Sequence, residues 1–381
     1  MKNKYPLVFV HGMFGWGTAI GIDKISPYWG STTGNLMQYL TGRGYECYAA
    51  SVGPVSSAWD NACELYAQLT GTRVDYGKAH SEKCNHERFG RKYSKPLFED
   101  FGKRKIHLIG HSHGGQVIRL LAHLLTYGDQ DEKEATDENE ISGLFTGGKE
   151  DFVASVTALC TPNNGTTLYD IAEKANIVDP LGKATDFAMC VIGRTLIHQR
   201  FVDYQLEQYG MTPIRGERKA DKIFASIKRI SGGEDHILTD LSFKGAYELN
   251  RKIEISKSIT YFCYTASGSV GDEYKPKNIN FPLLKPISSL IAKHKLPEDK
   301  YGITFDDSWH ENDGLVNTVS GRNPFDEPAR EYDGVAERGI WNIMPTLICD
   351  HGEAAGLFAN KNKLRSFYEN LAEMLIGTET V

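Results

Sequence analysis

The chain has 381 residues, with 40% hydrophobic and 24% charged side chains, the balance of a globular protein with a full core and an ordinary length for an α/β domain with insertions. A formal net charge of −6 argues against a nucleic-acid partner, which would call for a basic stripe. No apolar run reaches about 18 residues, so no membrane-spanning helix is expected.

Pro6–Val10 is an apolar run that reads as a first strand, and it ends in His11-Gly12-Met13-Phe14-Gly15-Trp16-Gly17. A His-Gly turn at that place can offer a backbone N–H to a developing oxyanion, and it can equally be a plain glycine-rich turn. Asn35–Leu40 predicts a short helix and Glu46–Val52 a strand, the strand–helix–strand grammar of a parallel sheet. Ala58–Leu69 predicts a helix. Asp75–His86 is polar, contains a glycine and is rich in ligand-type side chains, so it reads as a loop excursion.

Ile106, Leu108 and Ile109 mark a buried strand, and Val117–Leu125 a buried helix. Between them stands Gly110-x-Ser112-x-Gly114. A strand that turns at once into a helix crowds its own backbone, so small residues are needed two places either side of the apex. That turn lifts one hydroxyl out of the sheet at a helix N-terminus, where free N–H groups face it. Asp129–Glu140 is acidic without an apolar pattern and reads as a solvated insertion. Phe152–Cys160 is a further strand.

Asp179-Pro180 has the form of a helix start, followed by Ala184, Phe187, Ala188, Val191, Ile192, Thr195 and Leu196 at helical spacing. By default this stripe is a core helix; the other reading is a lid over an apolar pocket. Ile259–Tyr264 is a late strand, 268–302 a long insertion without a clear period, and Leu364 to Leu375 a final amphipathic helix closed by Gly377. The seven cysteines are scattered and odd in number, and they form no CxxC pair, which favours core thiols over a disulfide framework. Met1–Tyr5 runs straight into the first strand, so no signal peptide is visible.

A serine nucleophile needs a neutral imidazole to take its proton and a carboxylate to hold the tautomer. Two late histidines qualify. His310 lies among Asp306, Asp307, Glu311 and Asp313; His351 follows an apolar run and precedes a glycine, the position of a base presented at a sheet edge. The residues favour His351, with Asp313 as its acid and Asp307 and Asp350 as rivals.

Several blocks together resemble the zinc-containing thermoalkalophilic lipases of Gram-positive bacteria. They are His11-Gly12-x-x-Gly15-Trp16-Gly17, Val52-Gly53-Pro54-x-Ser56-Ser57-x-Trp59-Asp60, Val74-Asp75-Tyr76-Gly77 and Arg88-Phe89-Gly90-Arg91. Thr161-Pro162-x-x-Gly165-Thr166-Thr167-Leu168, Glu311-Asn312-Asp313-Gly314-x-Val316-Asn317-Thr318-Val319-Ser320 and Asp350-His351 complete the set. The resemblance covers nearly the whole chain. It implies one α/β-hydrolase domain over 1–381, with a mostly parallel sheet flanked by helices. Its insertions would be a zinc-binding region (58–100 with 205–250), a helical lid (168–204) and the stretch 268–302.

The resemblance further implies Ser112 as nucleophile, Asp313 as acid, His351 as base, and the backbone N–H groups of Met13 and His113 as oxyanion donors. A structural zinc ion would be held by Asp60, His80, His86 and Asp235, with Cys63 and Cys84 as rival soft donors. His80 and His86 are six apart, on different faces of any helix, so the segment must loop between them. The family has Ala at Gly110, a change expected to be harmless, and Phe and Gln at Met13 and His113. Family members also bind calcium near the catalytic histidine; Glu353 matches, but Phe358-Ala359 replaces the expected Asp-Pro, which argues against that site.

The expected activity is hydrolysis of hydrophobic carboxylic esters such as acylglycerols at a lipid or polymer interface. The alternatives are a broad esterase that also cuts synthetic polyesters and, in a different class, a zinc-dependent hydrolase with metal-bound water as nucleophile. A secreted enzyme is implied, with a cytoplasmic one as the alternative.

Overall fold

The computed structural model describes residues 1–19, 21–174, 203–210, 234–271 and 273–379. Its strands are β1 (Leu7–Val10), β2 (Cys47–Ala50), β3 (Arg73–Asp75), β4 (Phe89–Lys92), β5 (Ile106–His111), β6 (Val153–Leu159), β7 (Thr260–Tyr264), β8 (Ala329–Glu331) and β9 (Trp341–Ile343). Seven of them form one sheet in the order β2-β1-β5-β6-β7-β9-β8, and each neighbouring pair runs parallel. β3 and β4 pair antiparallel outside it.

The alternation of side chains along a strand divides the core into two layers. Val8 and Val10 of β1, with Leu108 of β5, pack beneath α2 (Ala58–Thr70) and α4 (His113–Tyr127). Leu7, Phe9 and Ile109 face the other way, onto α1 (Leu36–Gly42) and the final helix Lys361–Thr378. Both faces are covered, so β1 is apolar without interruption, while β5 carries buried histidines at 107 and 111 beside its apolar Ile106, Leu108 and Ile109.

Four stretches differ from expectation. The excursion after β3 contains a helix, α3 (Lys78–Cys84). The acidic stretch forms α5 (Gln130–Ala135), and its Glu132 is only 1% exposed because the carboxylate accepts the N–H groups of Ala79 (3.1 Å) and His80 (2.7 Å). An acidic composition hid a buried cap for a neighbouring helix. Gly377 does not close the final helix, which runs on to Thr378; beyond it Glu379 accepts the N–H groups of Lys4 and Tyr5. The insertion 268–302 contains the helix Leu284–Lys293.

The expected lid helix at Asp179-Pro180 lies outside the described residues. Among the described residues no helix is long and apolar enough to cross a membrane. The parallel sheet with a sharp strand–turn–helix at β5–α4 is the α/β-hydrolase fold.

Candidate active site and metal centre

β5 ends at His111 and α4 begins at His113, which leaves Ser112 alone to make the turn at φ 57°. A non-glycine residue in the left-handed region is strained, and such strain gathers at functional turns. The neighbouring glycines are sterically required. A Cβ on Gly114 would meet the Val10 carbonyl oxygen at 2.4 Å, and one on Gly12 would meet Ser112 Cβ at 2.6 Å. A Cβ on Gly110 would sit 2.3 Å from the Gly114 carbonyl oxygen, so alanine there is not harmless in this chain. It would force α4 to shift.

His351 opens a short helix after β9, and its Nδ1 lies 2.7 Å from Asp313 Oδ2. Both residues are buried, at 5% and 1% exposure. Asp313 Oδ1 accepts the N–H groups of Leu315 (3.0 Å) and Val316 (2.8 Å), while Gly314 at φ 105° makes the turn that brings them round. The carboxylate is therefore aimed before the histidine meets it. The His351 N–H also donates to the Asp313 carbonyl oxygen (2.9 Å). The His351 ring stands 4.7 Å from that of His111, the residue immediately before Ser112.

The rivals fall away on geometry. Asp350 is consumed as a cap: its carboxylate accepts the N–H groups of Asn280, Phe281 and Glu353. Asp307 and His310 line a cleft with Tyr274 and Lys293 whose walls include neither Ser112 nor His351.

The Gly12 carbonyl oxygen accepts the N–H of Gly15 (3.0 Å) and faces His11 Nδ1 (2.9 Å). In a planar trans peptide the Met13 N–H must point the opposite way. His113 occupies the first helical position, where the N–H has no intrahelical acceptor. The His113 side chain turns inward instead, and its Nε2 lies 3.0 Å from Asp240 Oδ2, which also accepts the Ala58 N–H at the start of α2.

A second constellation stands on α2 and α3. Asp60 lies in the first turn of α2 and His80 within α3. Asn85 caps α3 in the left-handed conformation, at φ 55°, and so turns His86 back towards His80. The expected loop is thus one residue long. Asp235 arrives from just before the helix Ile237–Leu241.

His80 Nε2 is 3.4 Å from both Asp60 Oδ1 and Asp235 Oδ2, and His86 Nε2 is 3.9 and 3.3 Å from the same two atoms. Asp60 Oδ1, His80 Nε2 and His86 Nε2 are buried without a hydrogen-bond partner. A tetrahedron with metal–ligand bonds of about 2.05 Å has edges of about 3.3 Å. Three of these four separations match tetrahedral edges, and the fourth, 3.9 Å between His86 Nε2 and Asp60 Oδ1, is longer. Burial and the adjacent Asp235 carboxylate push the Asp60 carboxyl up, a cost that a cation between them removes.

Cys84 Sγ stands 3.9 Å from His80 Nδ1, and the ligand atoms of His80, Cys84, His86 and Asp235 lie within 4.8 Å of one another, so Cys84 stays a rival donor at this centre. Cys63 packs in the apolar core. Sequence reasoning missed the supporting shell: Gln208 Nε2 donates to Asp60 Oδ2, the Tyr209 hydroxyl donates to Asp235 Oδ2, and Trp59 stacks on His80 at 5.0 Å. Of these, only Trp59 stood in a motif.

Comparison with known proteins decides the family. Residues 3–381 match the family described as lipase-like, C-terminal domain. The chain belongs to it. A lipase of Staphylococcus epidermidis is 34% identical over 397 residues, covering 99% of this chain and 54% of that protein, so the chain spans about half the length of such curated relatives. Among solved structures, EstA from Clostridium botulinum superposes with a TM-score of 0.87 at 34% identity, covering 98% of this chain and 87% of its own. Lipase 1 from Pelosinus fermentans gives 0.82 at 36% identity, with 98% of both chains covered. The resemblance to Gram-positive lipases is borne out.

In this lipase-like domain, side chains hold the loop after His351. Both oxygens of Glu353 are occupied, one accepting the Asp350 N–H (3.0 Å) and the other the Asn280 side-chain amide (2.7 Å). Phe358 stacks on Phe281 with ring centroids 5.2 Å apart.

Proposed function

We propose that the chain is a serine carboxylester hydrolase of the lipase type, in which Ser112 is the nucleophile, His351 the base and Asp313 the orienting acid. The observation that carries this reading is the buried Asp313 carboxylate 2.7 Å from His351 Nδ1, with the His351 ring 4.7 Å from that of His111, the residue before a serine held at φ 57° on a strand–helix turn. Asp313 keeps the proton on Nδ1, so the Nε2 lone pair is free to take the Ser112 proton.

Attack of Ser112 Oγ on the ester carbonyl forms a tetrahedral oxyanion, which the N–H groups of Met13 and His113 stabilise. Collapse breaks the C–O bond, and protonated His351 delivers its proton to the departing alcohol. His351 then removes a proton from water, and the resulting attack on the acyl-enzyme releases the acid and restores Ser112. Apolar walls support a hydrophobic acyl group. Met13 packs with Phe14, Leu238 and Leu241, and Leu315 with Leu168 and Ile171; Thr166 ties the two sides by bonds to the backbone of Leu241 and Leu315.

Asp60, His80, His86 and Asp235 would hold a zinc ion, which suits a closed set of two oxygen and two nitrogen donors. When bound, it neutralises two buried carboxylates and cross-links α2, α3 and the 235 loop. With four protein donors no position remains for a reacting water, which disfavours a metal-dependent hydrolase. We further read the chain as one hydrolase domain whose insertions supply the metal region and a lid at 168–204, and we infer secretion from the family resemblance.

The test is hydrolysis of p-nitrophenyl esters from C2 to C16 by wild type and Ser112→Ala, with a serine-directed phosphonate in parallel. Loss of activity in the variant, stoichiometric labelling of the wild type and a mid- to long-chain optimum are expected. Full activity in Ser112→Ala would overturn the assignment.

A further inference from the structure

Behind the catalytic face, three hydrogen bonds run in series through side chains that the reaction does not consume. The Gly12 N–H donates to the Tyr28 hydroxyl oxygen at 3.1 Å. That hydroxyl lies 2.6 Å from His111 Nδ1, and His111 Nε2 lies 3.0 Å from the His351 carbonyl oxygen.

The directions of all three follow from chemistry. A backbone carbonyl only accepts, so His111 Nε2 carries the proton. The His111 imidazole is buried and, chiefly through desolvation, disfavours its charged form, so Nδ1 is left as an acceptor. The Tyr28 hydroxyl must therefore donate to Nδ1, and burial likewise keeps that phenol protonated. No donor or acceptor in the series is left over. It begins at the residue before Met13 and ends on the backbone of His351, passing through the residue before Ser112.

We propose that Tyr28 and His111 are positioning residues, a relay that registers the Met13 oxyanion donor against the catalytic base across the nucleophile turn. The proposal rests on the serine-hydrolase reading above. Aromatic contacts hold the relay in place: Tyr28 meets Trp29 edge-on at 5.3 Å, and the His111 ring lies 6.1 Å from Trp29. Tyr28→Phe keeps those contacts and removes one oxygen atom. It leaves the Gly12 N–H without its acceptor and His111 Nδ1 without its donor.

A donor and a base that drift apart lose rate in the transition state while the ground state binds as before. The experiment is a double-mutant cycle of Tyr28→Phe and His111→Phe on a p-nitrophenyl ester, with active sites counted by phosphonate titration and Ser112→Ala run alongside. Each single variant should lose about tenfold in kcat per titrated site, with KM within about twofold. The double should be no slower than the worse single, because either change breaks the same series.

Tyr28→Phe with unchanged kcat, whatever its thermal midpoint, would overturn the relay, and so would independent losses that multiply in the double variant. If His111→Phe does not fold, the kcat of Tyr28→Phe alone decides. Activity surviving in Ser112→Ala would instead sink the serine reading, so the two failures are distinguishable.

Discussion

At the scale of single residues, two aspartates that look interchangeable in the sequence, Asp313 and Asp350, do different work. Asp313 receives two N–H groups of its own turn on one oxygen and presents the other to His351. Asp350, adjacent to the histidine in sequence, spends its carboxylate on three N–H groups and anchors Asn280 and Phe281 to the short helix that begins at His351. Asp313→Asn should therefore lower kcat by about 10⁴-fold with the fold intact, since the amide favours the wrong tautomer. Asp350→Ala should cost about 1–2 kcal/mol of stability, as loss of a cap does, with a far smaller effect on kcat. Steady-state kinetics and denaturant midpoints of the two variants check both expectations; equal kcat losses would refute the division of roles. The residues favoured Asp313 as the acid, but adjacency in sequence left Asp350 a rival, because it says nothing about which carboxylate a turn delivers to Nδ1.

At the scale of elements, α3 shows how a boundary makes a site. His80 and His86 could not share a face of one helix, and the structure resolves this by stopping α3 at Cys84 and turning once through Asn85. Asparagine tolerates that conformation, glycine tolerates it better, and a β-branched residue costs roughly 1–2 kcal/mol there. With zinc bound as proposed, Asn85→Gly should keep it, whereas Asn85→Val should displace His86 and release it sooner. Zinc retained after a timed chelator challenge measures the difference, and equal retention would show that the turn does not set the geometry. The α5 stretch teaches the converse lesson. Its composition reads as solvated, yet Glu132 is buried because it accepts two N–H groups at the start of α3. Burial of an acid is set by a partner distant in sequence, which no local pattern shows.

At the scale of the whole molecule, stability should depend on pH through buried imidazoles. Burial lowers the His11 pKa from 6.5 to about 4. In the fold its Nε2 accepts the Val52 N–H (3.2 Å), and that bond requires the neutral ring. A histidine with a depressed folded pKa contributes stability that is fully present above its unfolded pKa and is lost as pH falls through the folded value. The window is therefore about 6.5 down to about 4, and the loss about 3 kcal/mol. Urea midpoints of wild type and His11→Asn from pH 7 to pH 4 should converge by about that amount as the pH falls. A difference that stays constant would show that His11 is not the titrating group. Glu64 acts in the opposite sense, since burial raises its carboxyl pKa, and the comparison with His11→Asn cancels its contribution.

What the sequence determined by itself is what short-range sterics and burial write locally. The first strand appears as an unbroken apolar run, and the turn at Ser112 is spelled by Gly110 and Gly114, whose Cβ atoms would strike backbone at 2.3 and 2.4 Å. Motif blocks carried the family and, through the resemblance, the four positions proposed to hold a metal. Only the tertiary structure showed what the rival Asp350 binds instead, where α3 stops, why Glu132 is buried, and that Gly12, Tyr28, His111 and His351 are joined in one hydrogen-bonded series. These are pairings between residues tens to hundreds of positions apart. The chain closes such distances only when the sheet and its two helical layers assemble, so they belong to the fold and to no segment of it.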